Sequence, residues 1–288
     1  MNKNIGLVLE GGGFRGSYTA GALNWLADQG IFFNYTVTIS AATPFAFLYL
    51  TNNIQQMHDI SVNGLSDKNV FGIKPIFNEG SIVGYNFLID KYMRPFYKEA
   101  LEKLRNSDKD MEVGLYNMTK QQLQYFNKSQ FDDDVQMFKA SCTLPLAGKM
   151  TEIKDNKYLD GGIRTMVSIE RAIKTGHQKN LVIVTKDKNY VRKPNGFLLS
   201  TILKIVYRKF KTMLSTLDDR VGNYYNEMDT IYQLEEQSKV LLIRPSKDTG
   251  VKRFSGSAEQ LEEMYQLGYK DMEDRKEEIY KFLEMEDK

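Results

Sequence analysis

The chain has 288 residues and a mass of 33.2 kDa, and its 42% hydrophobic and 26% charged residues are the balance of an ordinary globular protein. Its 39 basic and 37 acidic residues leave a net charge of +2, so nucleic acid is not an expected partner. A single cysteine, Cys142, excludes an intrachain disulfide framework and the usual zinc cages. Only two histidines, His58 and His177, are available, and we expect both at the surface.

Apolar runs in this sequence are short. Residues 5–9 are too few for the core of a signal peptide. The longest apolar stretch, 37–50, is too short to span a bilayer and contains Ser40, Thr43 and Pro44. We therefore expect a cytoplasmic protein, with peripheral contact at the inner membrane face as a further hypothesis.

Strands and helices alternate over the first fifty residues. The apolar run 5–9 predicts a buried parallel strand, and the spacing of apolar residues over 17–29 predicts a helix that Gly30 ends. A second strand is predicted over 35–39, and 41–50 is apolar on all sides, which is typical of a buried helix. This order indicates an α/β fold with a mainly parallel central sheet.

The middle of the chain is less regular, and 63–81 has no clean period. The remaining predicted elements up to residue 188 are a helix over 85–104 with a break near Pro95, a strand over 111–116, a short helix over 132–141, a turn at 155–156 before a strand over 157–159, a helix over 168–174 and a buried strand over 181–185.

The polar segment 189–195, with Arg192, Lys193 and Pro194, predicts a boundary between a core over 1–188 and a region over 189–288. We expect this second region to be mainly helical, to contain one strand and to pack on the core. Its predicted elements are helices over 197–217 and 217–237, a strand over 240–243 and a long charged helix from Ala258 to the C-terminus.

A glycine cluster, Gly11-Gly12-Gly13-Phe14-Arg15-Gly16, lies between the first strand and the first helix. Consecutive N–H groups without side chains could converge on a phosphate or on the oxyanion of an acyl-transfer intermediate, with help from the helix dipole. The spacing also matches the dinucleotide-binding fingerprint, but the second strand ends without the acidic residue that this fold uses. A plain strand–helix turn is the simplest alternative.

Two further residues stand at the ends of predicted strands. Ser40 lies where a buried strand meets a buried helix, the position of a nucleophile elbow, although taken alone it is most simply a helix N-cap. Asp160 begins Asp160-Gly161-Gly162, which in isolation predicts a turn. Neither histidine lies in a catalytic context, so a Ser-His-Asp triad is poorly supported.

In combination, the Gly-Gly-Gly-Phe-Arg-Gly cluster, the serine at the next strand–helix junction and the Asp-Gly-Gly motif resemble the patatin-like phospholipases. Residues 6–10, 18–21, 144–145 and 243–247 resemble a bacterial branch of that family, so that the similarity extends over essentially the whole chain. The resemblance implies a three-layer α/β fold related to the α/β-hydrolases, with 1–188 as the catalytic core.

The resemblance also implies a mechanism and a substrate class. Ser40 would be the nucleophile and Asp160 the general base in the hydrolysis of lipid or phospholipid esters, and Gly11, Gly12 and Gly13 would form the oxyanion hole. Arg15 would orient the loop or attract a phosphate headgroup, or else be a plain surface cation. Gly16, Gly161 and Gly162 complete the motifs, and neither metal nor cofactor is implied.

One departure concerns the two elbow glycines of the family, which are replaced here by Thr38 and Ala42. The β-branched Thr38 could crowd the elbow or lie beside Ser40, and we expect it to slow the enzyme without abolishing its activity. The alternative is a non-catalytic protein that keeps the fold and binds lipid or a partner.

The region 197–217 offers a candidate lipid-contact surface. On a helical wheel one face is apolar and the opposite face is basic; the apolar face comprises Leu199, Ile202, Leu203, Val206, Phe210, Met213, Leu214 and Leu217, and the basic face Lys204, Arg208 and Lys211. The favoured interpretation is a helix that covers the sheet, and the alternative is an interfacial helix on an anionic membrane. The sequence does not predict the oligomeric state.

Overall fold

The structure is a computed structural model that describes residues 4–285. In chain order, its strands and helices are β1 (Ile5–Leu9), α1 (Gly16–Asp28), β2 (Tyr35–Ile39), α2 (Ala42–Leu50), α3 (Ile54–Asp59), α4 (Ile73–Glu79), α5 (Tyr85–Tyr92), α6 (Arg94–Arg105), β3 (Asp110–Asn117), β4 (Gln122–Asn127), α7 (Gln136–Cys142), β5 (Thr151–Ile153), β6 (Asn156–Asp160), α8 (Ile169–Lys174), β7 (Lys179–Ile183), α9 (Phe197–Val206), α10 (Lys211–Asp218), α11 (Arg220–Glu236), β8 (Val240–Ile243), α12 (Ala258–Asp274) and α13 (Lys276–Phe282).

The eight strands within residues 4–285 belong to one sheet with the order β5-β6-β3-β2-β1-β7-β8, and β4 pairs with β3 outside this path. The pairs among β3, β2, β1, β7 and β8 are parallel, and the pairs that involve β4, β5 and β6 are antiparallel. The predicted α/β fold with a mainly parallel sheet is confirmed.

The two faces of the sheet are covered by different helices, which gives the three expected layers. Alternate side chains of β1, such as Leu7 and Leu9, pack with α1, α2 and α12 in the larger core. Val8, on the opposite face, packs with α8 and α11 in a second core. Because parallel strands are buried on both faces, β1 and β8 are apolar runs without alternation.

Elements after residue 188 are built into this architecture. Strand β8 adds to the edge of the sheet beside β7, helix α12 packs along α1, and α11 packs on β8 and α8. Strand β8 therefore belongs to the same sheet as β2 and β6, the strands that end beside Ser40 and at Asp160.

The single helix predicted over 197–217 is wrong. The chain forms α9 and α10, separated by a turn at 207–210 where Phe210 has the non-helical angles φ −110° and ψ 65°. The turn buries Tyr207, whose hydroxyl accepts a hydrogen bond from the Leu146 N–H at 3.1 Å. Apolar periodicity continued across this break because residues on both sides contact the same small core.

Other differences from the predicted elements are local. The half-exposed strand β4 and the three-residue β5 were not predicted, since neither has a distinct apolar pattern. The predicted C-terminal helix divides at Arg275, whose guanidinium donates to the Leu242 carbonyl at 2.6 Å, and its last residues, 286–288, lie outside the described residues. No helix within residues 4–285 combines the length and the apolar character needed to cross a bilayer.

Candidate functional site

Ser40 occupies a strained junction between β2 and α2. Its φ of +59° lies in the left-handed region, which costs a non-glycine residue roughly 1–2 kcal/mol. The N-cap interpretation is wrong, since α2 has Ala41 as its N-cap residue and no side-chain cap. A buried serine held in this conformation has the backbone geometry of a nucleophile elbow.

The sheet register brings Asp160 to Ser40. Strand β2 is parallel to β3 and ends with Ile39 opposite Gly114, whereas β6 is antiparallel to β3 and ends with Asp160 opposite Leu115. Strand β4 fills the other edge of β3, so β2 and β6 share one edge and their carboxyl ends meet. Two motifs that are 120 positions apart in the sequence are thereby placed side by side, and both residues line the same cavity.

Asp160 has the environment of a base. Its carboxyl group is completely buried, and Oδ1 accepts a hydrogen bond from the Gly162 N–H at 2.7 Å. Within residues 4–285, Oδ2 has no full hydrogen bond. Burial raises the pKa of Asp160 to about 6, and the nearby Ser40 hydroxyl, the Gly162 N–H, Arg220 and Arg253 limit the rise.

The glycine loop 11–13 follows β1, whose last residue, Leu9, pairs with Thr38 beside Ser40. The Gly11 N–H donates to the Met166 carbonyl at 3.3 Å. The N–H groups of Gly12 and Gly13 have no acceptor among residues 4–285. A Cβ atom on Gly11 would lie 2.7 Å from the Ser40 Cβ, so only glycine permits this approach of loop to elbow.

The sequence left open whether the Thr38 side chain would crowd the elbow or lie beside Ser40. In the structure its hydroxyl contacts other groups. Its hydroxyl is fully buried, 3.1 Å from the Thr43 hydroxyl, and it donates to the Glu112 carbonyl at 3.2 Å. Ala42 is buried in the first turn of α2. Thr38 therefore connects the strand before the elbow, the neighbouring strand β3 and the helix after the elbow.

The remaining motif residues lie around this junction. Gly16 starts α1 against Phe45, and Gly161 and Gly162 form a short 3-10 turn directly after Asp160. Arg15 lines the cavity with its guanidinium 5.7 Å from the centre of the Tyr190 ring.

Sequence reasoning missed the strongly basic side of this cavity. The cavity of Ser40 and Asp160 is also lined by five cationic side chains, namely Arg15, Lys186, Arg192, Arg220 and Arg253. Lys186 forms a buried ion pair with Glu10. Arg220 Nε donates to the Gly162 carbonyl at 2.6 Å, which ties α11 to the turn after Asp160. Arg15 belongs to the glycine motif, but no local motif marks the other four, because they come from distant parts of the chain.

A buried carboxylate, also missed, holds the loop behind the site. Glu227 of α11 accepts hydrogen bonds from the Thr165 hydroxyl at 2.5 Å and from the N–H groups of Met166 and Val167 at 3.0 Å. Burial raises the pKa of Glu227 to about 7, although these donors oppose the rise. Since the Met166 carbonyl accepts from Gly11, Glu227 supports the glycine loop through one intermediate residue.

An apolar cavity adjoins Ser40 on another side. Its walls come mainly from α2, α5, α7 and the segment 60–70, and they include Phe45, Ile89, Met93 and Phe138. Cys142 also lines this cavity, and burial raises the pKa of its thiol to about 12, which disfavours the nucleophilic thiolate.

The two histidines are half-buried, not at the surface as expected, and neither lines the cavity of Ser40. His58 contacts Glu262 at 2.9 Å, and His177 stacks on Tyr35 with ring centres 4.0 Å apart. Within residues 4–285 no group of three or more His, Cys, Asp or Glu side chains is arranged to hold a metal ion.

Comparison with models of known protein families identifies the family of this chain. A family model described as patatin-like phospholipase matches residues 7–173, more than half of the chain. The chain belongs to the patatin-like phospholipase family. In this family member the matched region contains Ser40, Asp160 and the glycine loop. A second model, for a domain of unknown function (DUF6363), matches residues 210–284 and so includes Arg220 and Arg253.

A solved structure supports the fold of this patatin-like chain. The crystal structure of VipD from Legionella pneumophila matches with a TM-score of 0.51 and 14% sequence identity. The match covers 95% of this chain and 66% of the VipD chain, just under two thirds of it. At this identity the likeness establishes a common fold only. No curated protein matches the sequence significantly.

Proposed function

We propose that this patatin-like protein is a serine acyl hydrolase that cleaves the ester bonds of lipids or phospholipids with a Ser40–Asp160 dyad. The observation that supports this proposal most directly is the meeting of β2 and β6 on one edge of β3, which places a strained serine beside a buried carboxyl group. Family membership supports the reaction class.

In the proposed reaction, Ser40 Oγ attacks the ester carbonyl carbon while Asp160 Oδ2 accepts the hydroxyl proton. The carbonyl electron pair moves onto oxygen and is stabilised by the free N–H groups of Gly12 and Gly13, since Gly11 donates to Met166. Collapse of this intermediate expels the alcohol, which takes the proton from Asp160. Water then hydrolyses the acyl-enzyme with Asp160 again as the base.

The surroundings of Ser40 suit a lipid. The apolar cavity beside the serine would receive an acyl chain, whereas the cavity with Asp160 is polar and basic. Because loss of one oxyanion donor typically costs about 3–4 kcal/mol, the two free N–H groups would provide a substantial part of the rate enhancement.

Fluorophosphonate labelling and hydrolysis of a short-chain nitrophenyl ester test the proposal. Ser40→Ala should abolish labelling and hydrolysis, and Asp160→Asn should abolish hydrolysis. Ser215→Ala, which changes an exposed serine of α10, is the matched control and should behave as wild type. His58→Ala, His177→Ala and a chelator should leave most activity intact. If wild-type protein neither turns over nor labels, the non-catalytic lipid- or partner-binding alternative becomes the better account.

We also propose that the protein contacts a lipid surface beside the site. Exposed apolar side chains lie on α9, with Phe197 89% and Leu198 73% exposed, and on α4, with Phe77 84% exposed. A groove between the segment 71–82 and α9 leads to Arg220 and Arg253. The exposed cations Lys204, Arg208, Lys209 and Lys211 favour an anionic lipid surface as the occupant. A cytoplasmic location at the inner membrane face stays a prediction.

A further inference from the structure

The cavity of Ser40 has far more positive than negative charge. Among the residues that line it, Arg15, Lys186, Arg192, Arg220 and Arg253 are cationic and Asp160 is the single carboxylate. Glu10, behind the cavity, neutralises Lys186. Arg192, Arg220 and Arg253, which we name the basic wall, form no ion pair with any carboxylate among residues 4–285.

The guanidinium groups of the basic wall are also poorly satisfied by hydrogen bonds. Arg192 is 7% exposed, and its Nε has no hydrogen-bond partner among the described residues, although the group lies 4.4 Å from the Tyr224 ring centre. The Arg253 side chain makes no hydrogen bond within residues 4–285, and Arg220 uses only Nε, toward Gly162. Free, convergent donors of this kind are suited to an anion's oxygen atoms.

Mutual repulsion among the guanidinium groups of the basic wall destabilises the folded protein when no ligand is bound. Burial and the neighbouring Arg253 and Arg192 lower the pKa of Arg220 to about 9, and burial and Arg192 lower the pKa of Arg253. With a pKa of about 9, Arg220 still carries a positive charge at neutral pH. Uncompensated buried charge destabilises a protein, so a bound anion would relieve this cost.

The position of the basic wall specifies where such an anion lies in a substrate. Ser40 borders the apolar cavity on one side and the basic cavity on the other. An ester bond at Ser40 would therefore join an acyl chain in the apolar cavity to an anionic group near the basic wall. A cationic ammonium on the headgroup would meet five cations and a single carboxylate there.

We propose that the basic wall binds the phosphate of an anionic phospholipid headgroup and selects it over zwitterionic and neutral headgroups. The proposal rests on the hydrolase function proposed above. All three arginines lie outside residues 7–173, and two lie within the domain of unknown function at 210–284. This domain would thus complete the substrate site of the patatin-like core.

Soluble substrates with identical acyl chains test this selectivity without a membrane. The measured quantity is the kcat/KM for dihexanoyl phosphatidylglycerol divided by that for dihexanoyl phosphatidylcholine, and separately by that for dihexanoylglycerol. Wild type should favour the anionic lipid about tenfold or more, because a charge-assisted contact is stronger than a neutral one. Arg192→Gln and Arg253→Gln should each reduce both ratios about tenfold.

Two variants control for charge and folding. Arg192→Lys keeps the charge and should retain more of the selectivity than Arg192→Gln. Arg94→Gln, which removes an exposed arginine that does not line the cavity, should leave both ratios unchanged. Inorganic phosphate should inhibit nitrophenyl ester hydrolysis by wild type more strongly than hydrolysis by Arg192→Gln. If phosphate inhibits but the enzyme does not distinguish the lipids, the occupant of the basic wall is free phosphate. Equal ratios in wild type and both glutamine variants, together with no phosphate inhibition, would overturn the proposal.

Binding to Ser40→Ala protein separates this proposal from the hydrolase function. Calorimetry should detect tighter binding of the anionic than of the zwitterionic lipid, and Arg192→Gln in the same background should remove the difference. If wild type is inactive but this difference is present, the hydrolase proposal fails and the anion subsite stands. If wild type is active and the difference is absent, the subsite fails alone.

Discussion

Asp160 determines the pH dependence that we expect from this site. In the proposed reaction its carboxylate is the active base, and burial raises its pKa to about 6. The kcat/KM for a soluble nitrophenyl ester should therefore rise with pH and level off above this value, and it should be about tenfold below the plateau one pH unit below the pKa. The measurement is a pH–rate profile.

The charge of Arg253 provides a further test of Asp160 as the base. Arg253 lowers the pKa of Asp160, as do Arg220, the Ser40 hydroxyl and the Gly162 N–H. Arg253→Gln should therefore move the limb of the profile to higher pH, whereas Arg94→Gln should leave it in place. A rate that does not change with pH between about 5 and 7 would contradict Asp160 as the base.

Thr38 offers a second test at the scale of single residues. Its hydroxyl contacts the Thr43 hydroxyl and the Glu112 carbonyl, so Thr38→Val should cost about 1–3 kcal/mol of unfolding free energy by leaving buried polar groups unpaired. The same change should lower kcat, because the hydroxyl contact that connects the strand before the elbow to the helix after it is lost. Thr38→Ser keeps the hydroxyl and should be closer to wild type in thermal melts and ester hydrolysis. A higher kcat in Thr38→Gly would instead favour the crowding that the sequence suggested.

The sequence indicated only part of this site. Ser40, Asp160 and the glycine loop were found because their motifs are local. The conformation of Ser40 was ambiguous, since a serine before a helix caps it unless the sheet forces a left-handed angle. Arg192 and Glu227 could not be found, because only the packing of α11 against the core brings Glu227 to the Val167 N–H and Tyr224 to Arg192.

At the scale of elements, α9 shows what an apolar pattern leaves undecided. Of the apolar face that its spacing predicted, Leu203 is buried, whereas Ile202 is 40% and Val206 55% exposed. A periodic face can pack on a sheet or on lipid, and periodicity does not distinguish the two. At the break over 207–210, Tyr207 packs in a small core formed by distant parts of the chain, and its hydroxyl accepts a hydrogen bond from the Leu146 N–H.

If α9 and α4 contact lipid, polar substitutions there should weaken vesicle binding. Phe197→Ser with Leu198→Ser, and Phe77→Ser separately, should each reduce sedimentation with anionic vesicles several-fold, because apolar burial contributes about 25 cal/mol per Å². Tyr232→Ser, at an exposed aromatic residue of α11, is the control. Added salt should weaken binding further.

The soluble ester assay keeps this prediction apart from catalysis. Hydrolysis of a soluble nitrophenyl ester should be unaffected by Phe77→Ser, while hydrolysis of vesicle lipid should fall with binding. Equal binding of wild type and all the serine variants would show that α9 and α4 do not form the lipid contact.

At the scale of the whole molecule, the motif-bearing half and the C-terminal half are joined where α1 crosses α12. A Cβ atom on Gly21 would lie 1.8 Å from the Tyr265 carbonyl oxygen, and one on Gly268 would lie 2.1 Å from the Tyr18 carbonyl oxygen. The two helices thus meet backbone to backbone at reciprocal glycines. Beside the crossing, the Tyr18 hydroxyl donates to Asp271 at 3.0 Å. The sequence predicted both helices, but nothing in their apolar spacing predicted that they pack on each other.

This crossing predicts a long-range effect on the site. Gly268→Ala must push α12 away from α1. Overpacking of this kind typically lowers the free energy of unfolding by 1–3 kcal/mol, and we expect about 3 kcal/mol here because the added Cβ would meet backbone atoms. Because α1 begins directly after the glycine loop, the displacement should also lower kcat for the soluble ester. Gly222→Ala is the matched control: it lies exposed in α11 with no atom within 4 Å of the added Cβ, and it should stabilise the protein by about 0.5–1 kcal/mol. The measurements are thermal melts and ester hydrolysis of both variants. If Gly268→Ala is as stable and as active as Gly222→Ala, the two helices do not approach this closely.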